Sequence, residues 1–441
     1  MKTKQLLTSA LLLCSSLGSV AQNPIVQTWF TTDPAPMVHG DRLYIYTGHD
    51  EDNADFFWMQ EWRVYSTADM VNWRDHGSPL AIESFTWGDD RAWAPQCIER
   101  NGKFYFYVPL HSSVSTTMAI GVAVGKTPVG PFTDPVGKPL ADGSWDYIDP
   151  TVFIDDDGQA WLYWGNPQLY YAKLNDDMIS FVDGVHKMDM KGLERYTEGP
   201  WIQKRNGKYY MMYASHGIPE HIGYAMADTP VGPWKYMGDI MDRTPDTGSF
   251  TNHAGLMDFK GHSYFFYHTG KLPRGGGFGR RVAVEEFKYN ADGTIPRIPM
   301  TNEGVAPIGT FNPFGKHEAE EMAFSVGLHS QPNGHNNVYL SDIHNGDWMK
   351  IREVDFGTTT AKSLSVSAAS ALRGGTIELH ADSVKGALIA KIAITNTGGW
   401  EKFKTFTTKE VNTPQGKHDI YFVFKGRKGP ELYTFDWWQM K

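Results

Sequence analysis

The sequence predicts an all-β protein in two parts, a β-propeller followed by a β-sandwich. Three observations carry this. A short hairpin unit recurs five times in the first three hundred residues. Alternating apolar patterns punctuated by Gly, Pro, Asn and Asp run from Asn23 to about Asn312, without long amphipathic helical periodicity. The composition then turns to Pro, Gly, Thr and Asn, and a second alternating stretch runs from Lys316 to Lys441, enough for one sandwich. The expected layout is 1–21 as a leader, 22–315 as the propeller and 316–441 as the sandwich, with the boundary near Gly315.

The recurring unit is clearest where Asn206-Gly207 separates the apolar runs Trp201-Ile202 and Tyr209-Tyr210-Met211-Met212-Tyr213. Asn-Gly between such runs is a strong hairpin signal, because both turn residues must adopt positive φ. Asn101-Gly102 is nearly a copy, and Asp157-Gly158, Lys260-Gly261 and Gly40-Asp41 are relatives. The aromatic landmarks Tyr44, Tyr105, Trp161, Tyr210 and Tyr264 follow one another at gaps of 49 to 61 residues, a spacing suited to propeller blades. Thr127-Pro128-Val129-Gly130-Pro131-Phe132 and Thr229-Pro230-Val231-Gly232-Pro233-Trp234 form a second echo.

Equivalent places ahead of the five turns carry Asp33, Trp93, Asp149, Glu198 and His253. The first strand of each propeller blade lines the central axis, so these side chains should meet at one mouth. Any one of them alone reads as a cap or turn residue. Three carboxylates and an imidazole brought together are costly to bury without a task.

The remaining composition narrows the function. The chain has 441 residues and a net charge of −9, which argues against a nucleic-acid surface and supplies no basic stripe for a membrane. No stretch is long enough to span one. Lys2 and Lys4, the apolar run Leu6–Leu17 and Ser19-Val20-Ala21 read as a secretory signal cleaved after Ala21, hence a secreted or periplasmic protein; Cys14 leaves a lipoprotein as the lesser alternative. Removing the leader leaves Cys97 alone, with no intramolecular disulfide and no thiolate zinc site. Asp155-Asp156-Asp157-Gly158 has only part of a calcium loop's spacing and is expected to be an acidic hairpin tip.

Paired carboxylates across a pocket are the standard means of cleaving a glycosidic bond. One is protonated to serve the leaving oxygen, and the other is ionised to activate water. Asp33, Asp149 and Glu198 supply the groups, and position alone does not divide the roles.

Three segments, Thr32-Asp33-Pro34-Ala35-Pro36, Tyr147-Ile148-Asp149-Pro150 and Tyr196-Thr197-Glu198-Gly199-Pro200, together with 279–287 and 290–295, resemble glycoside hydrolase family 43 in the same order over roughly 23–312. The resemblance implies a five-bladed propeller and hydrolysis with inversion. It implies Asp33 as general base, Glu198 as general acid and Asp149 as orienter and modulator. It also implies His253 facing the channel, often beside calcium, Trp93 as an apolar wall, and an arginine of the Arg280-Arg281 pair, expected to be Arg281, on substrate. The second part resembles carbohydrate-binding module family 6 through Glu318-Ala319-Glu320, Gly346-Asp347-Trp348, 354–357, 397–400 and 432–437. That resemblance implies Trp400, with Tyr339, as a sugar platform, and Glu318, Glu320 and Asp436 as ligands of a structural calcium. Thr434 stands where the family often has Asn. No organic cofactor is implied.

The expected activity is an α-L-arabinofuranosidase on arabinoxylan or arabinan, with plant polysaccharide or oligosaccharide as the partner. Alternatives are a β-D-xylosidase or other xylan-active hydrolase, a retaining fructosidase-type propeller and a non-catalytic glycan-binding protein. Thr32-Asp33-Pro34-Ala35 departs from the Asn-Asp-Pro-Asn of the fructosidases.

Overall fold

A computed structural model describes residues 22–243, 248–334 and 337–441; the leader expected over 1–21, with Cys14, lies outside the described residues. The described elements are strands and one short 3-10 turn, Ile82–Ser84. Five sheets follow one another as blades. The innermost strands are Thr32–His39, Gln96–Arg100, Thr151–Ile154, Tyr196–Arg205 and Gly255–Phe259, each paired antiparallel with the next strand of its blade.

The turns explain the regularity. Asn101 and Gly102 have φ of 54° and 71°, and Asn206 and Gly207 have 50° and 74°, the double positive φ of a two-residue hairpin. The Thr-Pro-Val-Gly-Pro echo is one turn used twice: Thr127 Oγ1 donates to the Gly130 carbonyl, and Thr229 Oγ1 does the same to Gly232. Asp155–Gly158 is a hairpin tip whose Asp155 and Asp156 hold Lys204. Cys97 is a buried free thiol in the core shared by blades 1, 2, 4 and 5.

Blade 5 has three strands of its own, Gly255–Phe259, His262–Thr269 and Arg281–Phe287. Its free edge is covered by the start of the described chain. Ile25 N donates to the Val282 carbonyl and Thr31 N to the Arg280 carbonyl. Asn23 donates through Nδ2 to the Val284 carbonyl and accepts through Oδ1 from Val284 N, a side chain doing the work of a strand residue. This strap closes the ring.

The C-terminal part is a sandwich of two sheets, one of five strands and one of six, around a core that includes Ile351, Leu364, Ile377, Phe422, Phe435 and Trp438. Its first strand is Gly315–Glu318. Trp348 is half-buried, stacked on Phe324. The sandwich is not a loose appendage. Its strand Glu321–Met322 pairs with Trp73–Asp75 and extends the blade 1 sheet. Trp29 Nε1 donates to Ser330 Oγ at 2.7 Å, and Ser330 Oγ donates to buried Asp75 at 2.7 Å.

Candidate active site

Each of the five sequence-aligned places falls at or just before the start of an innermost strand, and all five line one pocket. One cavity on that axis is lined by Asp33, Pro34, Gln96, Asp149, Gly199, Trp201 and His253 among others, with contributions from every blade. Asp33 and Asp149 have φ of 52° and 56°, and Gly199 after Glu198 has 57°. A non-glycine residue held in this region is strained, and such strain collects at sites with a task. At Gly199 a Cβ would stand 3.1 Å from the His253 ring, so glycine lets the imidazole approach Glu198.

His253 sits between the carboxylates. Its Nδ1 is 3.6 Å from Asp33 Oδ1, and its Nε2 is 3.3 Å from Glu198 Oε1 and 3.9 Å from Asp149 Oδ2. Burial alone would lower the imidazole, but Asp33, Asp149 and Glu198 together raise it to about 10. Burial likewise disfavours the charged form of Asp33, yet His253 and Arg280 outweigh it and hold that carboxyl well below the usual range. Asp149 goes the other way: burial raises it, His253 opposes, and the charges of Glu198 and Asp33 add to the rise. Two carboxyls on one axis are thus pushed in opposite directions because their neighbours differ.

Asp33 is held from behind. Its backbone N–H donates to His268 Nδ1 at 3.3 Å, and His268 Nε2 donates to the Thr251 carbonyl at 2.7 Å. Arg280 grips Asp50 through Nε at 2.9 Å and Nη2 at 2.7 Å, and turns Nη1 to Asp33 at 3.5 Å and Thr251 at 3.0 Å. Glu198 accepts from Asn166 Nδ2 at 2.5 Å, and Asp149 accepts from Gly199 N at 3.1 Å. Glu220, buried nearby, accepts from Asn252 N at 2.7 Å, and burial and the Glu198 charge raise its carboxyl.

Above the carboxylates opens a pocket of about 220 Å³, walled by Phe56, Phe57, Trp93, Ile148, Ile218 and Arg280. Trp93 lies in the wall, fixed by its Nε1 donating to the Phe57 carbonyl at 3.0 Å. The arginine there is Arg280, a correction to the expectation of Arg281. Successive residues of an extended chain point to opposite sides. Arg281 faces away, its guanidinium 4.0 Å from the Phe30 ring centroid, and burial lowers it to about 10. Asn166, Asp50, Glu220, His268 and Thr251 carried no sequence signal. They come from loops and second strands, outside the hairpin repeat; only the position of Arg280 beside Arg281 was legible.

In the sandwich, Glu318 and Glu320 both face Arg74, at 3.9 and 3.7 Å. The strand ends at Glu318 and a turn brings Glu320 round. Both Glu320 oxygens and Glu318 Oε2 are buried without a hydrogen-bond partner, and burial holds Glu320 well above the usual range. That orphaned oxygen set suits a hard cation. Asp436 does not join it: its carboxylate accepts from Asn333 Nδ2 at 3.1 Å and Ser367 Oγ at 3.2 Å. His253 shares with Asp149 and Glu198 a set of ligand atoms that all lie within 4.8 Å of one another, a grouping that could hold a cation. Trp400 is half-buried, its carbonyl accepting from Thr434 Oγ1 at 2.6 Å. Tyr339 is buried, edge-on to Phe403.

The family models Glycosyl hydrolases family 43, over residues 21–295, and Carbohydrate binding module (family 6), over residues 318–441, match this chain. The chain belongs to glycosyl hydrolase family 43. It is a glycosidase built as a propeller with a carbohydrate-binding module. It is 32% identical to the arabinoxylan arabinofuranohydrolase of Bacillus subtilis (strain 168), over 95% of this chain and 92% of that protein. It is 34% identical to a xylosidase/arabinosidase of Bacteroides ovatus, over 62% of this chain and 96% of that protein. The crystal structure of a family 43 arabinoxylan arabinofuranohydrolase from Bacillus subtilis, in complex with cellotetraose, superposes with a TM-score of 0.83 at 30% identity, covering 96% of this chain and 99% of that one. Among the described residues no helix is long and apolar enough to cross a membrane.

Proposed function

We propose that this glycosidase is a secreted, inverting α-L-arabinofuranosidase that removes arabinofuranosyl side chains from arabinoxylan. The observation carrying this is the match to an arabinoxylan arabinofuranohydrolase through both domains, 95% of the chain, joined to a single-sugar-sized pocket over three carboxylates. A β-D-xylosidase is the second reading, favoured by the similarity of the propeller alone to a xylosidase/arabinosidase.

In the proposed mechanism Glu198 gives its proton to the glycosidic oxygen as the C1–O bond breaks. Asp33, kept ionised by His253 and Arg280, takes a proton from the water that attacks C1 from the opposite face. The product is the hemiacetal of inverted configuration, the aglycone leaves as a neutral alcohol, and the two carboxyls end in exchanged protonation states. Asp149 anchors the turn bearing Glu198 through Gly199 N. Placement of Asp33 and Glu198 against opposite nitrogens of one imidazole supports this reading, since inverting pairs stand roughly 6.5–9.5 Å apart to admit a water. Trp93 and Phe57 wall the sugar. Glu318 and Glu320 would hold a calcium whose chemistry is structural, neutralising buried carboxylates at the joint of the two domains.

Proton NMR of the first product, beside a panel of nitrophenyl glycosides and arabinoxylan, tests the proposal. Inverted arabinose released from arabinoxylan is expected. A retained anomer rejects the mechanism, and xylose as the main product moves the assignment to the second reading.

A further inference from the structure

Blade 4 carries a second convergence of ionisable groups, away from the three carboxylates. His216 follows the strand Lys208–Ser215, His221 opens the strand His221–Ala227, and Asp239 lies in Lys235–Met241. Strand pairing sets them side by side, with Ser215 opposite His221 and Gly223 opposite Asp239. A Cβ at 223 would stand 3.2 Å from Ser215 Oγ and 3.3 Å from the Tyr236 ring, so glycine there lets the three strands close up.

The donor atoms face one another. His216 Nε2 and His221 Nδ1 each lie 3.7 Å from Asp239 Oδ2, and ligand atoms of all three residues fall within 4.8 Å of one another. Asp242 Oδ1 is a further 3.7 Å from His221 Nδ1. His221 Nδ1 is a buried atom with no hydrogen-bond partner. Hydrogen bonds fix the orientation of the rest. Tyr236 donates to Asp239 Oδ1 at 2.6 Å, which leaves Oδ2 turned to the histidines. Arg195 Nη1 donates to His216 Nε2, so that nitrogen bears a lone pair, and His216 Nδ1 donates to Ser215 Oγ at 2.9 Å.

We infer that His216, His221 and Asp239 form a site for a divalent transition metal of the zinc class, tying the base of the loop that walls the substrate pocket. Two imidazoles and one carboxylate suit zinc, nickel or copper better than calcium or magnesium. Donors around tetrahedral zinc are about 3.4 Å apart for bonds of about 2.0–2.1 Å, so the two contacts at Asp239 need to close by only a few tenths of an ångström. Arg195 is exposed, and its guanidinium swings into solvent to release His216. Water completes the shell, or Asp242 once the exposed Arg297, which holds its Oδ1 and stands 3.9 Å from Asp239 Oδ2, turns away. The two histidines bracket Gly217-Ile218-Pro219-Glu220, of which Ile218 lines the pocket and Glu220 lies buried beside Glu198. A metal here would therefore hold the pocket wall from outside, without touching the reacting groups.

Zinc chloride titrated calorimetrically into the chelator-washed full chain tests the inference. One saturable equivalent is expected in the wild type and in Glu198→Gln. His216→Ala and His221→Ala should each weaken it more than the roughly 10–100-fold typical of losing an outer partner of a metal ligand. Melting curves of the variants without metal show that they fold, and Asp239→Asn supplies a milder substitution of the third ligand. Zinc should slow amide exchange over residues 216–221 in the wild type and not in His221→Ala. No saturable uptake, uptake unaltered in both histidine variants, uptake lost only with Glu198→Gln, or exchange indifferent to zinc would each overturn it.

Discussion

At the scale of single residues, the site works by giving similar groups different surroundings. Glu198→Gln keeps shape and removes the transferable proton. Turnover of substrates with poor leaving groups should fall by roughly a hundredfold or more, while a dinitrophenyl glycoside should lose far less. Steady-state rates on the two substrates check this, and equal losses would reassign the acid. His253 supplies a pH signature. Its folded value is raised to about 10, so the stability it contributes is complete below the ordinary histidine range near 6.5 and is lost as pH rises through about 10. The melting temperature of the wild type should therefore exceed that of His253→Gln by a margin that is constant in mild acid and shrinks between about pH 6.5 and 10. A margin that rises with pH up to about 6.5 and stays flat above it would mean the ring is neutral in the fold. These groups were legible in different degrees. Asp33, Asp149, Glu198 and His253 stand eight or nine residues ahead of a hairpin turn, so a repeat reveals them. Asp50 and Glu220 stand at no such offset, and their roles exist only once distant strands meet.

At the scale of elements, the propeller follows from turn chemistry repeated. Asn-Gly pairs with positive φ fix the hairpins, and alternation decides which face each strand buries. The closing strap was not legible. Residues 22–31 have neither a turn of their own nor a strict alternation, because part of the pairing runs through the Asn23 side chain. Asn23→Ala removes that side chain's bonds to Val284 and strands a buried N–H. It should destabilise the chain by about 1–3 kcal/mol, read as a lower midpoint in urea with an unchanged slope. A neutral substitution would show that the strap adds nothing to closure.

At the scale of the whole molecule, two domains share a sheet. Glu321–Met322 lies on blade 1, and Glu318 and Glu320 lie beside it with unpartnered oxygens against Arg74. If calcium occupies that joint, a chelator should lower the melting temperature of the wild type and not that of Glu320→Gln, whose amide tolerates burial uncharged. Equal sensitivity of both proteins would place any calcium elsewhere. The module's sugar platform is a separate matter, since Trp400 is half-buried and its loop is tied to Thr434. Trp400→Ala should weaken retention on xylan in affinity electrophoresis and leave turnover of a nitrophenyl substrate unchanged, because the carboxylates lie in the other domain. Intact retention with a lowered melting temperature would make Trp400 a packing residue. The two-part layout was legible from the change in composition near 296–314; the shared sheet was not, since a two-residue strand leaves no pattern.

The strap also sets a clock. A ribosome makes residues 22–31 early and their partners around 280–285 some two hundred and fifty residues later, an interval on the order of tens of seconds at about 5–20 residues per second. Four blades can stack during that wait, but the ring stays open. Arg280, whose backbone carbonyl receives Thr31 N, arrives with the last blade and brings the guanidinium that faces Asp33. Closure of the ring and arrival of the guanidinium at Asp33 are thus one event, and an unfinished chain has neither.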